Sequence, residues 1–165
     1  MYWLGRHNVA QMPAEPTSFL NVDLDLYASK PLDELVAAFG KSITVLSVGR
    51  HRRRYSAHLE LGASGYGQSV DRIILGLVRM VEKLPPSQRA AWNAASLRQF
   101  NIGIQAGTRP PVFALLVKAK TIEAIARVGG DIVITVYAPD GHGGEVQGQP
   151  AGPGSSRALA GWKPA

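Results

Sequence analysis

The chain of 165 residues contains no cysteine. It therefore forms no disulfide and offers no thiolate as nucleophile or metal ligand, which suits a reducing compartment. Long apolar runs are also missing, because no stretch approaches the about 20 residues that span a bilayer. The first residues lack the basic region and apolar run of a signal peptide. We therefore expect a soluble, cytoplasmic protein with no membrane contact.

Common catalytic and cofactor-binding motifs are missing as well. The sequence holds no HExxH, DxDxDG, GxSxG or GxxxxGK[ST] pattern, each of which indicates a particular chemistry. The stretch GASGYGQS at 62–69 follows a strand pattern and precedes a helix pattern, where phosphate can bind. It lacks the third glycine of GxGxxG, so we interpret it as a flexible connection. The sequence predicts no cofactor and no metal ion.

The composition and length of the chain predict a basic protein with one domain. Lysine and arginine number 18 against 12 acidic residues, which gives a net charge of +6. Such an excess favours anionic partners, either nucleic acid or acidic protein. Glycine and proline concentrate near the carboxyl end. We predict an irregular N-terminal segment (1–16), one folded domain (17–139) and a disordered tail (140–165).

Six segments have the patterns of β-strands. In three of them apolar and polar residues alternate, which is typical of strands with one buried face. The others are short apolar runs, and one of these, VFALLV, is the pattern of a strand that is buried on both faces or covered at an end. The predicted strands are 20–26, 43–48, 55–61, 100–106, 112–117 and 132–138.

Helical spacing separates these strands and sets the fold class. The strongest helix pattern covers 70–84, with Ser69 as its N-cap and a core stripe of Ile73, Ile74, Leu77 and Val81. Shorter helices are predicted at 32–39, 87–96 and 121–128. The stretch 22–48 resembles 112–138, which indicates either an old duplication or one strand–helix–strand unit used twice. The sequence predicts an α+β domain with a single mixed, largely antiparallel sheet of about six strands and helices mainly on one face.

The polar sides of the three alternating strands form the first candidate site. If these strands share a sheet, Asp23, Asp25, His58 and Glu60 lie on its open face. Carboxylates beside a histidine can perform acid–base chemistry or bind a divalent ion. An antiparallel sheet with one solvated face shows the same alternation. The other predicted members of this polar face are Asn21, Ser56, Asn101 and Gln105.

The second candidate site is a run of basic residues between two strand patterns, at the tip of a predicted hairpin. Arginine side chains bind phosphate and carboxylate equally well. The run therefore predicts a solvated tip, a contact for an acidic protein, or a contact for nucleic acid. Its residues are Arg50, His51, Arg52, Arg53 and Arg54.

The segment VFALLVKAKTIEAIARVGGDIVITVYAP, preceded by FNIGIQAG, resembles the C-terminal half of a bacterial family of small domains of unknown function. We extend the resemblance over 18–139. It implies a strand–helix–strand unit, a long helix, a strand pair, a helix and a final strand. Some members of that family are immunity-type or accessory proteins. One difference is GRHRRRY, which stands where the family has a tryptophan-containing turn.

Three functions remain open from the sequence. The first is a binding or accessory module, immunity-like by the resemblance, that recognises an anionic or protein partner and is not an enzyme. The second is a nucleic-acid-binding domain that uses the arginine run. The third is a small enzyme or metal site on the polar face. The sequence indicates no oligomeric state.

Overall fold

The computed structural model describes residues 15–62, 65, 67–109 and 112–139, without the side chain of His51. The predicted tail and nearly all of the predicted N-terminal segment lie outside these residues. Strands and helices follow one another in no regular order along the chain, and a 3-10 turn, Gly40–Ser42, follows the first helix. The strands are β1 (Ser18–Ala28), β2 (Ile43–His51), β3 (Arg54–Leu61), β4 (Leu97–Gln105) and β5 (Asp131–Tyr137). The helices are α1 (Asp33–Ala38), α2 (Val70–Glu82), α3 (Pro86–Ala94) and α4 (Ala119–Arg127).

These elements confirm an α+β fold with one mixed sheet. The strand order is β2-β3-β1-β4-β5. β1 pairs antiparallel with β3 and β4, β2 pairs antiparallel with β3, and β5 pairs parallel with β4. The acidic and histidine residues predicted for one face lie on β1 and β3, which are neighbours at the centre of the sheet. The described residues form five strands, where about six were predicted.

The missing strand is VFALLV, and its prediction was wrong. Residues 112–118 form no strand. β4, the strand that precedes this segment, already pairs with β1 on one side and β5 on the other, so neither of its edges is open to a further strand. The segment lies against the core through Leu115 and Val117, while Val112 and Leu116 are 75% and 73% exposed. An apolar segment can therefore bury one of its sides against the core without pairing with a strand of the sheet.

A β-bulge corrects the predicted orientation of Leu20. The pairing of β1 with β4 shifts between Phe19 and Val22, so Leu20 and Asn21 both lie opposite Gly103. Phe19 takes the core-facing position and packs against the core, while Leu20 is 48% exposed. A bulge inserts extra residues into one strand, and this breaks the period of two that the sequence pattern assumes.

The core joins the apolar sides of the central strands to α2. The predicted stripe of Ile73, Ile74, Leu77 and Val81 is confirmed as buried. It belongs to one cluster with apolar residues of β1, β3 and β4. Trp92 of α3 is also fully buried, and its indole nitrogen donates to the carbonyl of Val128 over 2.8 Å. The core therefore fixes the strands whose other faces carry the polar residues.

Glycines follow two of the helices as predicted, whereas the predicted N-cap of α2 makes no capping hydrogen bond. Gly40 follows α1 with φ of +66° and Gly129 follows α4 with φ of +71°, a conformation that glycine adopts without steric cost. Ser69 is at the N-cap position of α2 as predicted, but its hydroxyl makes no capping hydrogen bond.

Candidate functional site

The sheet register brings the four acidic and histidine candidates together. Asp23 of β1 lies opposite Glu60 of β3, and Asp25 lies opposite His58. All four side chains are partly buried on the polar face of the sheet. We call Asp23, Asp25, His58 and Glu60 the carboxylate–histidine cluster.

Asp25 is held by hydrogen bonds at both of its carboxylate oxygens. Its Oδ1 lies 2.7 Å from Nδ1 of His58, and its Oδ2 accepts from Nδ2 of Asn101 over 3.1 Å. Asn101 in turn accepts from the Thr135 hydroxyl over 2.7 Å. This chain of contacts crosses four strands and fixes the orientation of the ion pair between Asp25 and His58.

Asp23 and Glu60 share a single donor, the amide nitrogen of Asn21. Nδ2 of Asn21 donates to Oδ1 of Asp23 over 3.0 Å and to Oε1 of Glu60. Burial, followed by the charges of Asp25 and Glu60 and a hydrogen bond with Glu60, raises the pKa of Asp23 from its ordinary value of 3.8 to about 7, while the charge of His58 lowers it. Asp23 therefore exchanges a proton near neutral pH.

The other titratable groups of the polar face respond to the same charges. The hydrogen bond to Asp25 raises the pKa of His58, and burial partly offsets it. Burial and Asp25 raise the pKa of Tyr27, whose ring meets the His58 ring edge-on at a centroid distance of 5.7 Å. Burial, followed by Asp23 and Asp25, raises the pKa of Tyr137. His58 thus keeps its proton to a higher pH than a free imidazole.

A cleft of about 580 Å³ opens beside the cluster. Asp23 and Glu60 line it on the polar side, and Leu61 and Ile73 line it on the apolar side. Its size is in the range of small-molecule sites, which combine apolar walls with a few polar groups. The cluster can therefore donate or accept a proton at the wall of a cleft. Within the described ranges, no group of three or more His, Cys, Asp or Glu side chains can hold a metal ion.

Two other residues predicted for the polar face lie away from the carboxylate–histidine cluster, and three residues that belong to this face were not predicted from the sequence. Gln105 donates to the carbonyl of Ala138 over 2.8 Å, and Ser56 lies opposite Tyr27, away from the cluster. Thr135 and Tyr137 were missed because no pattern assigned β5 to this face. Tyr27 was missed although it continues the alternation of Asp23 and Asp25. Residues 63, 64 and 66 of the glycine-rich connection lie outside the described residues.

The arginine candidates form a separate feature at the tip of the β2–β3 hairpin. His51 of β2 pairs with Arg54 of β3, which leaves Arg52 and Arg53 as a two-residue turn. Arg50, Arg52, Arg53 and Arg54 are all exposed. The guanidinium carbon of Arg50 lies 5.6 Å from the centre of the Tyr55 ring, a cation–π contact. We call Arg50 to Arg54 the arginine turn.

Arg52 has a backbone conformation that arginine rarely adopts. Its φ is +56°, and within the described residues no other non-glycine residue has a positive φ. In this region the β-carbon of an L-residue crowds the backbone, at a cost of about 1–2 kcal/mol. Glycine, asparagine and aspartate are the usual residues in two-residue hairpin turns. Arginine is not among these residues, so the Arg52 side chain does not stabilise the turn.

Comparison of the chain with protein-family models, with curated proteins and with solved structures finds no match. The resemblance to the bacterial family of small domains therefore stays a prediction. Across the part of the chain that is described, no helix is both long and apolar enough to cross a membrane.

Proposed function

We propose that this chain is a binding module, not an enzyme, and that its arginine turn recognises an acidic segment of a protein partner. The observation that carries the proposal is the turn itself, which has four exposed arginines, one of which, Arg52, has a strained backbone. The immunity-type role implied by the resemblance is one form of this function.

The charges of the arginine turn are not neutralised within the described residues. Those residues contain two ion pairs, Asp25 with His58 and Glu82 with Arg127, and neither includes an arginine of the turn. Four guanidinium groups so close together repel one another unless solvent or an anion offsets them. A carboxylate-rich partner supplies that anion and forms paired hydrogen bonds with guanidinium groups.

The strand that leads into the turn offers apolar contact area. Val45, Leu46 and Val48 of β2 are 48%, 49% and 37% exposed. Protein interfaces combine apolar contacts with arginine, whereas a phosphate backbone needs charge alone. Apolar side chains beside the arginines therefore favour a protein over a nucleic acid.

The nucleic-acid alternative lacks a free stacking platform at the turn. Tyr55, its neighbouring aromatic residue, is half-buried and already in contact with Arg50. Proteins that bind single strands stack bases on exposed aromatic rings. Phosphate contacts alone would give weak, strongly salt-dependent binding.

A second candidate function is supported by Asp23. A carboxyl group with a pKa of about 7 beside a cleft is the arrangement of a general acid or base. Internal hydrogen-bond networks shift pKa values in the same way without catalysis. Thermal-shift screening of small amines and carboxylates, with Asp23→Asn as control, tests this candidate. A ligand that stabilises the parent and not the variant would support a site at the cleft.

We also infer that the helices cover one face of the sheet and leave the polar face to solvent. The buried residues of α2 share a core cluster with one side of β1, β3 and β4, and the carboxylate–histidine cluster on the other side is partly exposed. A cytoplasmic location stays part of the proposal, supported by the lack of cysteine.

The test uses fluorescence anisotropy with two labelled probes, poly-L-glutamate as an acidic polypeptide and a single-stranded oligothymidine. The parent is compared with the variant that carries Arg→Gln at 50, 52, 53 and 54. We expect the parent to bind poly-L-glutamate, and the variant to lose roughly tenfold or more in affinity because charge-assisted contacts are removed. Its thermal midpoint should match that of the parent, since exposed charges contribute little to stability.

A matched control removes four exposed positive charges elsewhere, at Lys30, Lys41, Arg72 and Lys83. If this control loses as much affinity as the arginine-turn variant, net charge alone drives binding and the proposal is wrong. The proposal is also wrong if neither probe binds. Tighter binding of the oligothymidine at 150 mM salt would establish the nucleic-acid alternative instead.

A further inference from the structure

The two edges of the sheet differ in how they resist pairing with another strand. β2 forms one edge, has a register shift between Val45 and Ser47, and ends in the arginine turn. Bulges and charged side chains are the usual means by which proteins protect an edge strand. β5 forms the other edge, and its pairing with β4 runs from Asp131 to Tyr137 without a shift. It contains no proline, no glycine and one charged residue, Asp131.

β5 also exposes apolar side chains on the core side of the sheet. Ile132, Ile134 and Val136 are 38%, 61% and 61% exposed. Their neighbours across the β4–β5 ladder are Phe100, Ile102 and Ile104, which are all buried. The core is therefore covered as far as β4 and open at β5. Within the described ranges no strand pairs with the outer edge of β5.

We propose that β5 pairs antiparallel with β5 of a second copy of this chain, about a two-fold axis at Ile134, to form one continuous sheet of ten strands. A closed symmetric interface of this kind uses the same strand in both copies. This inference does not depend on the function of the arginine turn.

The sequence of β5 is complementary to itself in this arrangement. With Ile134 opposite Ile134 of the second copy, Ile132 lies opposite Val136 and Val133 lies opposite Thr135. Residues directly opposite each other share a face of the sheet, so the exposed apolar side chains of both copies form one row. All seven residues of β5 are paired in this register. If the two-fold axis is moved by one residue along β5 in either direction, residues at the ends of the strand lose their partners.

The charge distribution permits a second copy in this arrangement. Each chain carries a net charge of +6, and the arginine turn lies at the opposite edge of the sheet from β5. Ten strands spaced about 4.8 Å apart place the two β2 strands, which lead into the turns, roughly 43 Å from each other. This exceeds the Debye length of about 8 Å at physiological salt several-fold. The dimer thus buries the apolar edges and keeps the positive charges apart.

Sedimentation of the full chain over a range of concentrations tests the dimer. We expect a reversible change from monomer to dimer, with a dissociation constant that Ile134→Lys raises roughly tenfold or more because two like charges then face each other. Leu46→Lys is the matched control, since Leu46 is exposed to a similar degree on the other edge strand. It should leave the dissociation constant unchanged.

Disulfide trapping tests the register, because the chain has no cysteine of its own. Directly opposite residues lie about 4.5–5.5 Å apart at their α-carbons, within disulfide range. Ile134→Cys should therefore give a covalent dimer under mild oxidation. Ile132→Cys should not, because four residues separate it from its own copy along the paired strand, roughly 13 Å.

Three results would overturn the proposal. The first is a full chain that stays monomeric at high concentration. The second is a dimer that both lysine variants weaken equally, which would place the contact elsewhere. The third is a dimer in which Ile134→Cys forms no disulfide or Ile132→Cys forms one as readily, which would exclude the two-fold axis at Ile134.

Discussion

Single residues in this protein depart from local preference where a site is proposed. Arg52 has a positive φ that favours glycine, and the carboxyl group of Asp23 is buried beside two other carboxylates. Each departure costs folding free energy and persists because the surrounding structure holds it. At Arg52 the hairpin ladder on both sides of the turn supplies that support. At Asp23 the amide of Asn21 supplies part of it.

Substitution of Arg52 by glycine separates stability from binding. We expect Arg52→Gly to raise the free energy of unfolding by about 1 kcal/mol, because glycine relieves the steric cost of the positive φ. The same change should weaken binding of poly-L-glutamate. Chemical denaturation and anisotropy measure the two effects. Arg53→Gly is the control, and it should not stabilise the protein, since Arg53 has no positive φ. If Arg52→Gly instead lowers the free energy of unfolding, the backbone at Arg52 is not strained.

Among the elements, α2 contributes most clearly to the core. It buries residues along one stripe against the central strands. This packing holds β1 and β3 in place, and these two strands carry the carboxylate–histidine cluster. The strands contribute through their register. β1 lies between β3 and β4, which is why its acidic residues contact histidine on one side and asparagine on the other.

Truncation of the central residue of α2 tests this arrangement. Leu77 is fully buried, and Leu77→Ala should lower the free energy of unfolding by about 2–5 kcal/mol, because it removes apolar contact and leaves a cavity. Urea denaturation gives the value. Leu116→Ala is the matched control, since Leu116 is 73% exposed. The control should change stability by less than about 0.5 kcal/mol. Equal effects would mean that α2 is not the core helix.

At the scale of the whole molecule, opposite charges lie in separate regions. The arginine turn extends from the hairpin tip, while the carboxylate–histidine cluster lies on the face of the same sheet. Asp23 and His58 of the cluster have raised pKa values, whereas the arginine turn acts through its exposed positive charge. Stability should therefore vary with pH through the cluster, and binding of acidic partners should vary mainly with salt.

The pH dependence has a defined sign. The folded state keeps a proton on Asp23 up to about pH 7, whereas the unfolded chain releases it near 3.8. The folded state thus binds more protons in this range, and stability falls as pH rises through it. His58 acts in the same direction, because its pKa is raised above 6.5 in the folded state. We expect the urea midpoint to be higher at pH 5 than at pH 8.

Asp23→Asn should remove the larger part of the difference in urea midpoint between pH 5 and pH 8. The variant should be more stable than the parent at pH 8, where the parent must hold a buried charge, and close to the parent at pH 5. Asp131→Asn, at an exposed position, should retain the pH dependence of the parent. An unchanged difference between pH 5 and pH 8 in Asp23→Asn would mean that Asp23 does not hold the proton.

The sequence by itself determined the local elements of this protein. Strands and helices followed from periods that depend only on backbone geometry, two residues for β1 and 3.6 residues for α2. The alternation on β1 and β3 also predicted that Asp23, Asp25, His58 and Glu60 share a face, because side chains of one parity always do.

Only the tertiary structure decided which strands are neighbours and what those neighbours do to each residue. Residues 112–117 have the composition of a strand, yet they form no strand and pack Leu115 and Val117 against the core. Leu20 has the parity of the core, yet a bulge turns it to solvent. The raised pKa of Asp23 depends on burial in the sheet and on the neighbouring charges of Asp25 and Glu60. The positive φ of Arg52 depends on the paired ends of the hairpin. These are contacts between segments distant in sequence or constraints imposed by pairing, and a local pattern contains neither.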